Sequence, residues 1–180
     1  MKIILIGIQG AGKSTQGNLL SQSLGVPYLS TGHIFREMAK EHTPLGQQIK
    51  VTMNAGFLIS DEKTLQIVVE YLAHPEYEKG YILDGFPRTL VQAEAFKNGV
   101  YKVVYLEISD KEALWRIADR NSDREDETLM AIKERIASFH KFTEPVIEYY
   151  RKKGVLLEVN GEKSIEEIHK EIMLRLESAK

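Results

Sequence analysis

Residues 7 to 15 read Gly7-Ile8-Gln9-Gly10-Ala11-Gly12-Lys13-Ser14-Thr15 and follow directly on the apolar run Lys2 to Ile6. Glycine, four residues, Gly-Lys, then Ser or Thr is the P-loop pattern, and few folds can hold it. Its glycines let the backbone curl so that successive N–H groups point inward, and a helix starting there adds the positive end of its dipole. The next segment carries Leu19, Leu20 and Leu24, an apolar set for such a helix. Strand, loop and helix in this order require an α/β protein in which a strand delivers the loop to its carboxyl end. Lys13 is then placed to reach the β and γ phosphates of a nucleotide, with Ser14 or Thr15 beside a Mg2+ ion. The competing reading, a glycine-rich turn with an exposed lysine, lacks the flanking strand and helix.

Further along, short β-branched or aromatic runs recur at Tyr28 to Leu29, Tyr81 to Leu83, Val103 to Ile108 and Val155 to Val159, separated by helical patterns. Leu129, Ile132, Ile136 and Phe139 form one apolar stripe, and Ile165, Ile168 and Ile172 another. Ser109 with Glu112 and Ser164 with Glu167 have capping-box spacing, and Thr43 before Pro44 marks a further helix start. Such alternation predicts a parallel sheet covered by helices. The strand pattern lapses between Thr31 and Lys79, where helical segments around Phe35 to Met38, Leu45 to Met53 and Leu65 to Leu72 predict a helical insertion. Asn121 to Glu127 is short, polar and charged, a solvated loop or a small lid.

Composition narrows the function. Among 180 residues, 24 Lys+Arg against 26 Asp+Glu give a net charge of −2, without the basic field of a nucleic-acid binder. Any anion site must therefore be local. Zero cysteines exclude disulfides, thiolate metal clusters and a cysteine nucleophile. No apolar run approaches the roughly 18 residues of a membrane span, and the opening run is too short for a secretion signal. The expected compartment is the cytoplasm, with no membrane partner.

Two further features suit phosphate chemistry. Tyr81-Ile82-Leu83-Asp84 is an apolar strand ending in a carboxylate, the place from which a P-loop protein holds hydrated Mg2+. Alone, Asp84 would read as a turn or cap residue. The chain has eight arginines against sixteen lysines. Arg36 lies in the insertion, Arg88 just past Asp84, Arg116 and Arg120 four apart on one helix face, Arg124 in the polar stretch, and Arg135 eleven residues later. Singly each reads as a surface charge; together they supply the planar, bidentate donors that a phosphoryl-transfer site needs.

Over essentially its whole length the chain resembles the adenylate kinases, within the nucleoside monophosphate kinases. The residues that carry the resemblance are Gly7 to Gln16, Ser30-Thr31-Gly32 with Arg36, Ala55-Gly56 to Asp61-Glu62, Asp84-Gly85-Phe86-Pro87-Arg88-Thr89 with Gln92, and Arg116, Arg120, Arg124 and Arg135. The resemblance implies a P-loop NTPase-like α/β fold with a five-stranded parallel sheet and helices on both faces. It implies a core of residues 1–30, 61–120 and 128–180, an NMP-binding insertion at 31–60, and a lid of the short type at 121–127. It further implies reversible transfer of the ATP γ-phosphoryl group to AMP, giving two ADP, with Mg2+ as cofactor, in a monomer.

For ATP, the resemblance implies a cradle of Gly10, Ala11, Gly12, Lys13, Ser14 and Thr15, with Arg120 on the phosphates, Arg116 flanking the adenine, and the Asn160 to Lys163 turn beside that base. For AMP, it implies that Thr31 and Gln92 read the base. Phe57, Leu58 and Ile59 pass over that base, and Arg36 and Arg88 hold the phosphate next to Gly85, Phe86 and Pro87. Arg124 and Arg135 would close over the transferring group, so Lys13, Arg88, Arg120, Arg124 and Arg135 form the expected catalytic set, with Ser14, Thr15 and Asp84 on the metal. Gln92 has a competing role as a helix cap, three residues after Thr89. Pyrimidine-directed relatives usually have Ala in place of Thr31 and Asn in place of Gln92, which favours AMP and leaves CMP or UMP as the alternative acceptor. The chain departs from the family at Gln9, Ser14 and His33, which stand for Pro, Gly and Asp. An imidazole at 33 cannot supply the carboxylate that helps order water on Mg2+, so a nucleotide sensor that has lost turnover is a second alternative.

Overall fold

A computed structural model describes residues 1–97, 99–119 and 128–178. Five strands, β1 (Lys2–Ile6), β2 (Tyr28–Ser30), β3 (Tyr81–Asp84), β4 (Lys102–Glu107) and β5 (Leu156–Asn160), form one parallel sheet in the order β2-β3-β1-β4-β5. β1 is central, and Ile3, Ile4, Leu5 and Ile6 are all at most 3% exposed. A strand covered on both faces has no polar side, which is why it reads as an unbroken apolar run rather than an alternating one. Each such side chain contributes roughly 1.5–3 kcal/mol on leaving water.

Helices cover both faces: α1 (Lys13–Leu24), α2 (Thr31–Lys40), α3 (Pro44–Asn54), α4 (Asp61–Leu72), α5 (Leu90–Ala95), α6 (Asp110–Ala118), α7 (Leu129–Ser138), α8 (Glu144–Lys152) and α9 (Ile165–Glu177). Their starts are set by local chemistry. Thr43 Oγ1 accepts from the Gly46 N–H and Pro44 stands at the first helical position of α3. Ser164 and Glu167 form the full reciprocal box on α9. Ser109 is different: its Oγ accepts from the Glu112 N–H, but the Glu112 carboxylate turns to Arg116 instead, 2.6 Å away. Glu162, 53 residues on, fills the place by accepting from the Ser109 N–H and hydroxyl, both at 2.9 Å.

The stripe expected on α7 changes at both ends. Leu129 is 65% exposed, whereas Ile132 and Phe139 are buried. Phe139 lies beyond α7, in a π-helical turn (Phe139–Thr143) that joins α7 to α8. The wider turn lets Phe139 stack on Tyr105 of β4, with centroids 6.5 Å apart, and brings the Thr143 hydroxyl to donate to the Arg88 carbonyl at 2.9 Å. Between β2 and α4 the chain folds as α2 and α3, packed against each other. Among the described residues no helix is long and apolar enough to cross a membrane.

Candidate active site

The register of the sheet assembles the site. β1 and β3 are neighbours with Leu5 opposite Asp84, so the carboxylate that ends β3 stands level with the start of the glycine loop that leaves β1. Ligands of open α/β sheets bind outside the carboxyl ends of such strands. In the loop, Gly12 caps α1 at φ 87° and Gly10 sits at φ 94°, both in the left-handed region that glycine reaches without a Cβ penalty. Lys13 folds back over the loop, its Nζ donating to the Gly7 carbonyl at 2.8 Å and the Ile8 carbonyl at 3.1 Å. Ala11 is buried, and its N–H donates to the Ile8 carbonyl at 3.1 Å, which fixes the curl.

Asp84 is 8% exposed, and Tyr28 of β2 donates to its Oδ2 at 2.8 Å. Burial, and then the neighbouring Asp84 carboxylate, push the Tyr28 hydroxyl far above its ordinary pKa, so it stays a donor. A Cβ on Gly17 of α1 would collide with the Tyr28 ring, so that glycine is what lets the tyrosine reach. The other carboxylate oxygen, Oδ1, is buried with no hydrogen-bond partner. A buried anionic oxygen facing a cleft is costly unless a cation or donor completes it, and a Mg2+ ion with its water shell fits that requirement.

Asp84 and the loop open into a cavity of about 220 Å³. From the loop, Gly10, Gly12, Lys13 and Ser14 reach its wall. From α2 and the segment before α4 come Arg36, Phe57, Leu58 and Ile59; from the stretch after β3 come Gly85, Phe86, Pro87, Arg88 and Gln92. Arg135 enters from α7. Three guanidinium groups thus meet at one void. The Arg88 pKa is lowered, first by burial and then by the charges of Arg135 and Arg36, with Asp84 opposing. Arg88 Nε donates to the Gly85 carbonyl at 2.8 Å. Arg135 spans two parts of the chain, donating to the Gln9 side-chain carbonyl at 3.3 Å and the Met53 carbonyl at 3.0 Å.

Other expected site residues stand back from this wall. Thr15 is exposed. Thr31 is 2% exposed, and its hydroxyl donates to the Asp84 carbonyl at 3.1 Å. Arg116 pairs with Glu112, and Lys163 with Glu171 at 2.9 Å. The turn holding Lys163 approaches the glycine loop: a Cβ on Gly161 would lie 3.6 Å from the Ala11 carbonyl oxygen. His33 is exposed on α2, where its N–H donates to Ser30 Oγ at 3.4 Å. Arg120, Arg124 and the expected lid lie outside the described residues.

Gln92 makes the helix cap and also stands in the cavity wall: its N–H donates to Thr89 Oγ1 at 3.2 Å, and the residue lines the void. Sequence reading passed over Gln9, Tyr28 and Asp61 as functional neighbours. Gln9 stood out as a departure from the family, but nothing local signals that it meets Arg135, 126 positions away.

A sheet of this order with a glycine loop, a strand-end carboxylate and converging guanidiniums defines a P-loop nucleotide-binding protein. The adenylate kinase family model matches residues 5–155. An adenylate kinase of Archaeoglobus fulgidus is 36% identical over the full length of both chains, the alignment running to 216 positions against the 180 residues here. One of Caldicellulosiruptor saccharolyticus is 34% identical over 98% of this chain and 99% of its own, and one of Clostridium botulinum is 36% identical over 93% and 94%. The chain belongs to the adenylate kinase family.

Proposed function

We propose that the cleft is where this enzyme carries out the family reaction, reversible transfer of the ATP γ-phosphoryl group to AMP with formation of two ADP. The observation that carries the assignment is the convergence of Lys13, Arg36, Arg88 and Arg135 on one void beside a buried carboxylate. Burial first, and then the charges of Arg135 and Arg36, lower the Arg88 pKa against the opposing Asp84 carboxylate. A set of cations gathered this closely suits two phosphorylated substrates.

In the proposed arrangement the N–H groups of the Gly10 to Thr15 loop and the α1 N-terminus hold the ATP phosphates. Lys13 exchanges its loop carbonyls for phosphate oxygens, and Arg36 and Arg88 clamp the AMP phosphate bidentately. Arg135 lies between the two ends, with Arg120 and Arg124 joining from the 121–127 segment as a lid, and Arg116 and the Asn160 to Lys163 turn flanking the ATP base. An AMP phosphate oxygen attacks the γ-phosphorus in line, and the bond from that phosphorus to the β,γ-bridging oxygen breaks. The attacking oxygen is already anionic, so no general base is required; the protein supplies position and charge stabilisation. Asp84, with Ser14 or Thr15, is the proposed anchor for Mg2+, which when bound neutralises charge on the β and γ oxygens.

Phe57, Leu58 and Ile59 line the acceptor base, and Gln92 reads its edge. The Thr31 hydroxyl, donating its hydrogen bond to the Asp84 main-chain carbonyl, has only lone pairs left to offer, which suits the amino group of adenine over the carbonyl of uracil. We assign residues 31–60 as the AMP-binding insertion and 121–127 as the lid, on a core of residues 1–30, 61–120 and 128–180. The test is Arg88→Ala with each nucleotide titrated separately. AMP affinity falls at least about tenfold while ATP affinity holds, as expected for loss of a bidentate charged contact. Equal loss for both nucleotides contradicts the placement.

A further inference from the structure

Gln92 is useful for telling bases apart only if its carboxamide has one fixed orientation, because oxygen and nitrogen exchange places in a half-turn. Its surroundings decide which way it points. Nε2 donates to Asp61 Oδ1 at 2.8 Å, and Oε1 accepts from the Arg88 N–H at 2.8 Å. The Thr89 hydroxyl donates to the same Asp61 oxygen at 2.9 Å. A carboxylate only accepts and a backbone N–H only donates, so the reversed amide would set oxygen against oxygen and N–H against N–H. Asp61 stands at the first position of α4, outside the residues proposed for phosphate and metal. Gln92 is 2% exposed, so water cannot relieve a reversed orientation.

We propose that Asp61 is a positioning residue for base specificity, locking the Gln92 carboxamide so that one N–H and one oxygen lone pair remain in fixed places for the acceptor base. The inference rests on the reading of Gln92 as the residue facing the AMP base. Adenine presents a ring-nitrogen acceptor beside an amino donor. Hypoxanthine, a purine of the same size, presents the inverse, a ring N–H donor beside a carbonyl acceptor. The locked amide therefore accepts AMP and rejects IMP, and rejection follows from the carboxylate as much as from the glutamine.

The experiment measures dissociation constants of AMP and IMP for the wild type, Asp61→Asn and Gln92→Ala, with ATP affinity and thermal unfolding as controls. An asparagine keeps the shape but can donate or accept, so Asp61→Asn narrows the preference for AMP over IMP by about tenfold or more, with ATP affinity unchanged. Gln92→Ala narrows it as well. If Gln92→Ala shifts the ratio and Asp61→Asn does not, or if Asp61→Asn weakens AMP and IMP in equal proportion, Asp61 is only structural and the proposal falls while the role of Gln92 stands. If Gln92→Ala leaves the ratio unchanged, both fall. Should Asp61→Asn fail to fold, the side-chain amide protons of Gln92 in the nucleotide-free wild type decide by NMR: slow exchange with solvent supports the lock, and exchange at the rate of a free glutamine overturns it.

Discussion

Lys13 shows how one side chain answers to two sets of partners. Without nucleotide its ammonium is held by the Gly7 and Ile8 carbonyls, which keeps a charge in the cleft partly paired and the loop curled. With ATP bound, the same donors are proposed to meet developing charge on the phosphates, where a preorganised cation lowers the barrier most. Lys13→Met removes that charge but keeps the length and apolar stem of the side chain. Turnover falls at least about a hundredfold, roughly 2.7 kcal/mol of transition-state stabilisation, while the circular dichroism spectrum is retained. Turnover within a few-fold of wild type would remove Lys13 from the chemistry. Lys13 and Asp84 were both legible from spacing, because a motif or a strand-end residue declares itself within a dozen positions. Tyr28, Gln9 and Asp61 were not legible. Their partners lie 56, 126 and 31 positions away, and only the packed fold says that they meet.

Between elements, the contacts that shape the cleft are tight and few. Gly56 sits at φ 82° just after α3, and a Cβ there would lie 2.5 Å from the Ala131 carbonyl oxygen and 2.9 Å from its Cα. Gly56→Ala therefore forces the α2–α3 segment and α7 apart at the place where Arg135 bridges them. We expect a stability loss of about 1–3 kcal/mol by thermal unfolding, and a rise in KM for AMP larger than that for ATP. A wild-type unfolding temperature would show that this contact is loose. His140, in the π-helical turn, ties α8 to α6: Nδ1 bonds Glu144 at 2.6 Å and Nε2 bonds Asp110 at 3.0 Å. Those two carboxylates, Glu144 first, raise its pKa above the ordinary value. The protonated form is thus favoured in the folded state, so the link is fully present below about pH 6.5 and fades as pH rises through the raised value. Its side chain is 44% exposed, and solvent screening holds the contribution to about 0.5 kcal/mol. His140→Gln should cost more stability at pH 6 than at pH 8.5; an equal cost at both would mean the charge plays no part. Helix starts at Thr43 and Ser164 were readable because caps are local, while the π-helical turn was hidden, since Phe139 keeps the spacing of the α7 stripe.

Across the whole molecule, alternating apolar runs and helical periods were enough to foresee a parallel sheet with helices, but not the order of its strands. Order and register are set by which faces pack after the chain has turned back on itself, information that no window of sequence holds. Yet register is what makes the site, since Leu5 opposite Asp84 puts the glycine loop and the carboxylate side by side. The arginines illustrate the same limit. Arg36, Arg88 and Arg135 come from three separate segments and meet at one void, whereas Arg116, equally prominent in the sequence, is engaged with Glu112. The central claim is that these parts hold two nucleotides at once and pass a phosphoryl group directly from one to the other. The most direct measurement follows ATP, AMP and ADP together with purified protein and Mg2+. The account predicts two ADP formed for each ATP and AMP consumed, negligible ATP loss without AMP, slower reaction with CMP or UMP, and return of ATP and AMP from ADP alone. Nucleotide binding without AMP-dependent ADP formation, or ATP hydrolysis that ignores AMP, would contradict it.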